Sequence, residues 1–134
     1  RAVHDALDAE RIKLREKLGY SAPHFPLCEH YETSNWMYGN LAHDKLIDSG
    51  DWHEQLNLHS HRYMSEDIGL GLCFLTTLGE ALGLDMPVAA GLLALGSVAA
   101  GIDFRSNGRT WQSCGLAELT PEALRDFLSQ GEGA

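Results

Sequence analysis

Apolar residues in this chain recur at helical spacing and hardly ever alternate with polar ones. Over residues 2–18, Val3, Ala6, Leu7, Ile12, Leu14 and Leu18 make an apolar stripe among charges, and Gly19 supplies a stop. The pattern predicts an amphipathic helix with Asp8, Glu10, Arg11, Lys13, Arg15, Glu16 and Lys17 on a solvated face. A first central helix is expected over residues 65–83, with Ser65 as N-cap and Glu66 and Asp67 in the first turn, where the helix dipole favours negative charge. Its glycines, Gly69, Gly71 and Gly79, each cost roughly 1 kcal/mol against Ala, which close helix–helix contact would offset. Gly83 ends it, and Asp85 is expected to cap the next helix, with Pro87 in its first turn. From Val88 to Ala100 that helix is apolar nearly all round, until Gly101 stops it. Such a helix is either the centre of a bundle or half covered here and completed by a second subunit or a missing domain.

The remaining segments are shorter. Pro23 and Pro26 break any long helix, Phe25 to Tyr31 could begin a short one, and Leu41 to Ile47 another. Phe25, Tyr31, Trp36, Tyr38 and Trp52 read equally as a substrate wall or as a cap over the core. Asn107-Gly108 marks a turn after which Arg109 could open a short helix through Cys114. Thr120-Pro121-Glu122 is a strong helix start, and Leu124, Phe127 and Leu128 give it an apolar face. Leucine and alanine dominate over β-branched residues. The expected fold class is all-α: a compact bundle around two central apolar helices, without a sheet.

Composition narrows the function classes. The chain has 134 residues, 44% of them hydrophobic, enough for one domain with a core. Its formal net charge of -9 argues against nucleic acid as a partner. No basic segment followed by an apolar one marks a secretory signal, and the apolar stretch Met86 to Ile102 is short for a membrane span. Cys28, Cys73 and Cys114 are far apart and unpaired, which suits buried reduced thiols in a cytoplasmic protein. The sequence opens on Arg1 rather than Met, and we read it as a piece of a longer protein.

Candidate chemistry concentrates between His59 and Asp67, where two imidazoles, a guanidinium, a phenol and two carboxylates fall within nine residues. Gly69-Leu70-Gly71 lacks the third glycine and the preceding strand of a dinucleotide loop. His53, His59, His61 and Asp67 lack a recognised metal-ligand spacing, so no metal site is assigned. Cys73 and Cys114 have no adjacent base and read as inert. Arg62 and Asp67 carry two readings. As a salt bridge they would staple a loop to a helix start. Facing a cleft, Arg62 would clamp a carboxylate and Asp67 would orient a histidine.

The blocks His61-Arg62-Tyr63-Met64-Ser65-Glu66-Asp67-Ile68, Leu82-Gly83-Leu84-Asp85-Met86-Pro87, Gly101-Ile102-Asp103-Phe104 and Gly108-Arg109-Thr110-Trp111-Gln112-Ser113-Cys114-Gly115-Leu116 stand in an order that resembles the C-terminal helical domain of the octopine/nopaline (opine) dehydrogenase family. The resemblance covers most of the chain and is weakest between residues 20 and 58. It implies that residues 1–134 are one helical substrate-binding and dimerisation domain, like the C-terminal part of 6-phosphogluconate dehydrogenase. Its partners would be an N-terminal Rossmann domain carrying NAD or NADP, an amino acid, a 2-oxo acid and a second copy of the chain. The reaction would be reductive condensation of the two acids through an imine.

By the same resemblance Asp67 is catalytic, pairing with a histidine that lies upstream of the matched region. Arg62 serves the substrate cleft, Arg109 is a candidate for structural or substrate contacts, and His61 is taken as a further substrate contact. This stretch lacks a βαβ unit and GxGxxG, and none of His4, His24 and His30 stands in the histidine's usual motif. Turnover by this stretch alone is therefore not expected. The rival reading is a non-catalytic helical interaction module that dimerises through residues 86–101.

Overall fold

A computed structural model describes residues 1–30 and 55–130. The described residues form six α-helices and no strand: α1 (Ala2–Lys17), α2 (Leu27–His30), α3 (Cys73–Ala81), α4 (Pro87–Ala100), α5 (Phe104–Asn107) and α6 (Pro121–Gln130). A π-helix, Met64–Leu72, runs without a break into α3. The class is all-α, as the periodicity requires. The helix expected over Leu41 to Ile47, and Tyr31, Trp36, Tyr38, Trp52 and His53, lie outside the described residues. No helix among the described residues is long and apolar enough to cross a membrane.

The rod made by the π-helix and α3 is the spine. Near its middle, Leu72 and Cys73 pack with Met86, Ala89, Leu93, Ala100 and Phe104. Towards its end, Leu78 packs with Leu14, Leu18, Trp111 and Leu124, which gathers α1 and α6 onto a second cluster. Of the three glycines expected to mark close contacts, Gly69 and Gly79 do so, Gly71 meets only the Glu66 carbonyl of its own helix at 3.6 Å, and Gly96 adds a contact that was not expected. A Cβ on Gly79 would sit 2.6 Å from the Met86 sulfur, and one on Gly96 would sit 2.6 Å from Ile68 Cγ2. Helix α4 ends as expected, with Gly101 in the left-handed region at φ 68°, where other residues are strained.

Several local expectations give way to longer-range contacts. Asp85 does not cap α4; it is exposed, and the residue at the cap is Met86, with no side-chain cap bond. Glu10, expected on a solvated face, is instead 3% exposed. Its two carboxylate oxygens accept the N–H groups of Val88 and Ala89 at 2.8 and 2.9 Å. Helix starts leave such amides unpaired, and the α1–α4 packing carries a carboxylate to them. Asp8 is likewise used, accepting the Leu27 N–H at 2.7 Å. Ser65 is not an N-cap either: its hydroxyl donates back to the Arg62 carbonyl at 3.1 Å. The cap role falls to His61, whose Nδ1 accepts the Tyr63 N–H at 3.2 Å, so Arg62 lies in the first helical turn rather than on a loop.

Between Arg109 and Cys114 there is no helix but a series of turns, pinned where the Trp111 N–H donates to Thr77 Oγ1 at 2.9 Å. This turns Cys114 outward, and Cys28 is also exposed, so only Cys73 is a buried thiol. Helix α4 is covered on one side only: Leu95 and Val98 are 69% and 82% exposed. Among the described residues this helix is half covered rather than enclosed on all sides.

Candidate active site

Asp67 sits on the π-helix with its side chain exposed. It lies on the wall of an open groove of about 680 Å³ between the start of α1, the π-helix and α4. Val3, Leu7, Met64, Ile68 and Leu95 make most of the surroundings apolar, and Arg1 and His4 join Asp67 as the polar members. A carboxylate on the rim of an apolar groove can accept a hydrogen bond from, or stabilise a positive charge on, a group entering the groove.

Arg62 is one turn earlier and 69% exposed, with its guanidinium 4.0 Å from Glu66 and 5.4 Å from the centre of the Tyr63 ring. It forms no ion pair with Asp67, so the staple that the sequence offered as an alternative is not what fixes this corner. Arg62 faces solvent with a weak tether, while Asp67 faces the groove. The ring of His61 packs edge-on against Tyr63 with centroids 4.5 Å apart. Because its Nδ1 accepts a backbone N–H, the neutral ring carries its proton on Nε2.

Arg109 enters through its backbone. Its N–H donates to the carbonyl of Gly69 at 2.8 Å, while its side chain is exposed. His59 is spent elsewhere: its Nδ1–H donates to the Ala100 carbonyl at 3.1 Å and closes the end of α4. Among the described residues no three His, Cys, Asp or Glu side chains converge as metal ligands would. The Cys73 thiol donates to the Phe104 carbonyl at 3.2 Å, and burial pushes its pKa up, the reverse of an activated nucleophile.

On the far side of α4 a second, smaller groove of about 410 Å³ runs past Ala94, Val98 and Ile102 to Arg105. Arg105 there grips Glu80 through two bonds of 3.0 and 2.7 Å, and this hydrogen bonding holds the Glu80 carboxyl below its ordinary pKa. Neither this fork nor the reach of Glu10 was visible in the sequence, since each joins residues far apart along the chain.

Residues 1–100 match the family described as NAD/NADP octopine/nopaline dehydrogenase, alpha-helical domain. The chain belongs to the octopine/nopaline dehydrogenase family. It is also 31% identical over 136 residues to the opine dehydrogenase of Arthrobacter sp. (strain 1C), a match covering 95% of this chain and 35% of that protein. The chain thus spans about a third of the length of this curated relative. The family match includes His61, Arg62 and Asp67; Arg109 lies beyond it.

Proposed function

We propose that this chain is the substrate-binding helical domain of an NAD(P)-dependent opine-type dehydrogenase, which joins an amino acid and a 2-oxo acid and reduces the imine between them. The observation that carries this reading is the placement of Asp67 on the groove wall, within the span that matches the family's helical domain. Family membership implies a dinucleotide, and its binding falls to another domain: the described residues contain no strand and no glycine-rich loop between a strand and a helix. When bound there, the dinucleotide supplies the hydride. The contributions of this chain are binding and orientation.

Asp67 would receive the N–H of a histidine from outside this chain, fix its orientation and stabilise its protonated form. Arg62, tethered at 4.0 Å by Glu66 and 5.4 Å from the Tyr63 ring, keeps its guanidinium available for a substrate carboxylate. His61 borders the same corner as a further polar contact, fixed by its bond to the Tyr63 N–H. The contribution of Arg109 is structural, through its N–H on Gly69. The bundle as a whole would resemble the C-terminal part of 6-phosphogluconate dehydrogenase in arrangement.

A second reading, a helical module whose main duty is contact, draws support from the bare apolar face of α4 at Leu95 and Val98. The two readings divide on activity. The full-length protein, screened with NADH and NADPH against pyruvate and a panel of amino acids, should oxidise the reduced dinucleotide only when both acids are present. Absence of amino-acid-dependent oxidation across the panel would favour the contact module.

A further inference from the structure

The segment that carries Asp67 is unusual in its winding. Nine consecutive residues, Met64–Leu72, hydrogen-bond with a five-residue step. π-helices are rare, mostly single turns, and are often found at functional sites. Contacts from outside the helix support this segment.

That support converges on Gly69. At the junction with α3 the Cys73 N–H is shared between the carbonyls of Ile68, five residues back, and Leu70, three back, and neither bond takes the Gly69 carbonyl between them. The Gly69 carbonyl accepts instead the N–H of Arg109 at 2.8 Å. Gly108 lies so close that a Cβ there would run into the carbonyls of Gly69 and Phe104 and come within 3.1 Å of the Cys73 sulfur. The missing Cβ of Gly69 in turn admits the edge of the buried Phe104 ring, which a methyl would meet at 2.9 Å.

The pitch changes where Asp67 stands relative to the groove. Asp67 and Leu75, eight residues apart, line the same groove. An α-helix carried back from Leu75 over eight residues would leave Asp67 about 80° out of line with it. The wider turns between them take up that offset and bring the carboxylate round to the groove.

We propose that the crossing of Gly108–Arg109 over Gly69 is a positioning device: it holds the π-helical pitch and thereby aims Asp67. The proposal rests on the role given to Asp67 above. Gly69 and Gly108 are positioning residues that touch no substrate.

The test uses the full-length enzyme with its active pair of acids. Gly108→Ala brings a Cβ against backbone, and Gly69→Ala is the milder variant because its Cβ meets a ring edge. Each should lower kcat at least about tenfold while leaving KM for both acids within about threefold. Each should also move the histidine limb of the pH profile to lower pH, as Asp67→Asn should, because an imidazolium loses its carboxylate. In the Asp67→Asn background the further loss should shrink below about twofold, since the effect travels through Asp67. Equal losses in both backgrounds, or a folded Gly69→Ala enzyme with unchanged kcat and pH profile, would overturn the positioning role while leaving Asp67 its own. A silent Asp67→Asn would overturn both. Free of any variant, the Arg109 amide of the unmodified protein should exchange with deuterium as slowly as amides within α3. Exchange at the rate of the neighbouring turn amides would also overturn the device.

Discussion

Glu10 and Ala89 stand 79 positions apart, and the carboxylate of the first accepts the backbone N–H of the second at 2.9 Å. With the Val88 N–H bound to its other oxygen, this buried carboxylate closes the start of α4 and ties it to α1. Glu10→Ala removes two charge-assisted bonds and strands two amides, which should cost about 2–3 kcal/mol. Glu10→Gln, which keeps one acceptor oxygen, should cost less. Urea unfolding of the full-length variants measures both. Equal stability of Glu10→Ala and the parent would mean that the carboxylate does not act as the cap.

The bare face of α4 calls for a different measurement. A charge at an open surface position changes stability by less than about 0.5 kcal/mol. If the rest of the protein or a second copy covers this face, Val98→Asp buries an unpaired charge and should cost about 3 kcal/mol or more. Thermal melting and light scattering of the full-length variant report stability and oligomeric state together. No change in either would show that the face stays in water.

The Glu80–Arg105 fork sets a pH dependence. The Glu80 carboxyl is held below its ordinary range by the Arg105 hydrogen bonds, so the folded protein takes up this proton less readily than the unfolded chain. Its stabilisation is complete above the ordinary glutamate pKa and is lost as pH falls through the lower folded value. Both side chains are more than 40% exposed, so Glu80→Gln should cost at most about 1 kcal/mol at neutral pH. The difference from the parent should shrink steadily as pH falls below the ordinary glutamate range towards the lower folded value, in unfolding curves taken at a series of pH values.

The three cysteines should separate by labelling. Cys28 and Cys114 are exposed, while Cys73 is buried with its thiol pKa raised. Brief alkylation at about pH 8, followed by peptide mapping, should mark the first two and spare Cys73 until the protein is unfolded.

The helices themselves were legible because their ends are written locally. Gly101 closes α4 and Thr120-Pro121 opens α6, where the Thr120 hydroxyl accepts the Ala123 N–H at 3.2 Å. The π-helix was not legible, because over nine residues an apolar stripe does not separate a four-residue step from a five-residue one. Ser65 looked like a cap only because Glu66 and Asp67 followed it; the helix starts earlier, where His61 takes that role. Charges on α1 read as a solvated face because their partners, the start of α4 and residues 24–27, come from elsewhere in the chain. Cys114 read as buried because a helix was expected where turns bind Trp111 to Thr77. Arg62 and Asp67 were singled out from the family motif. Their separation onto solvent and groove was not legible, because it depends on the winding of the π-helix.

The measurement that bears most directly on the groove carboxylate is steady-state kinetics of full-length Asp67→Asn, a near-isosteric change that removes the charge and turns one acceptor oxygen into a donor. Loss of a group that orients and stabilises a catalytic histidine should lower kcat by about 10²–10⁴-fold with the fold intact by circular dichroism. A kcat within about threefold of the parent, in a folded enzyme, would contradict the assignment.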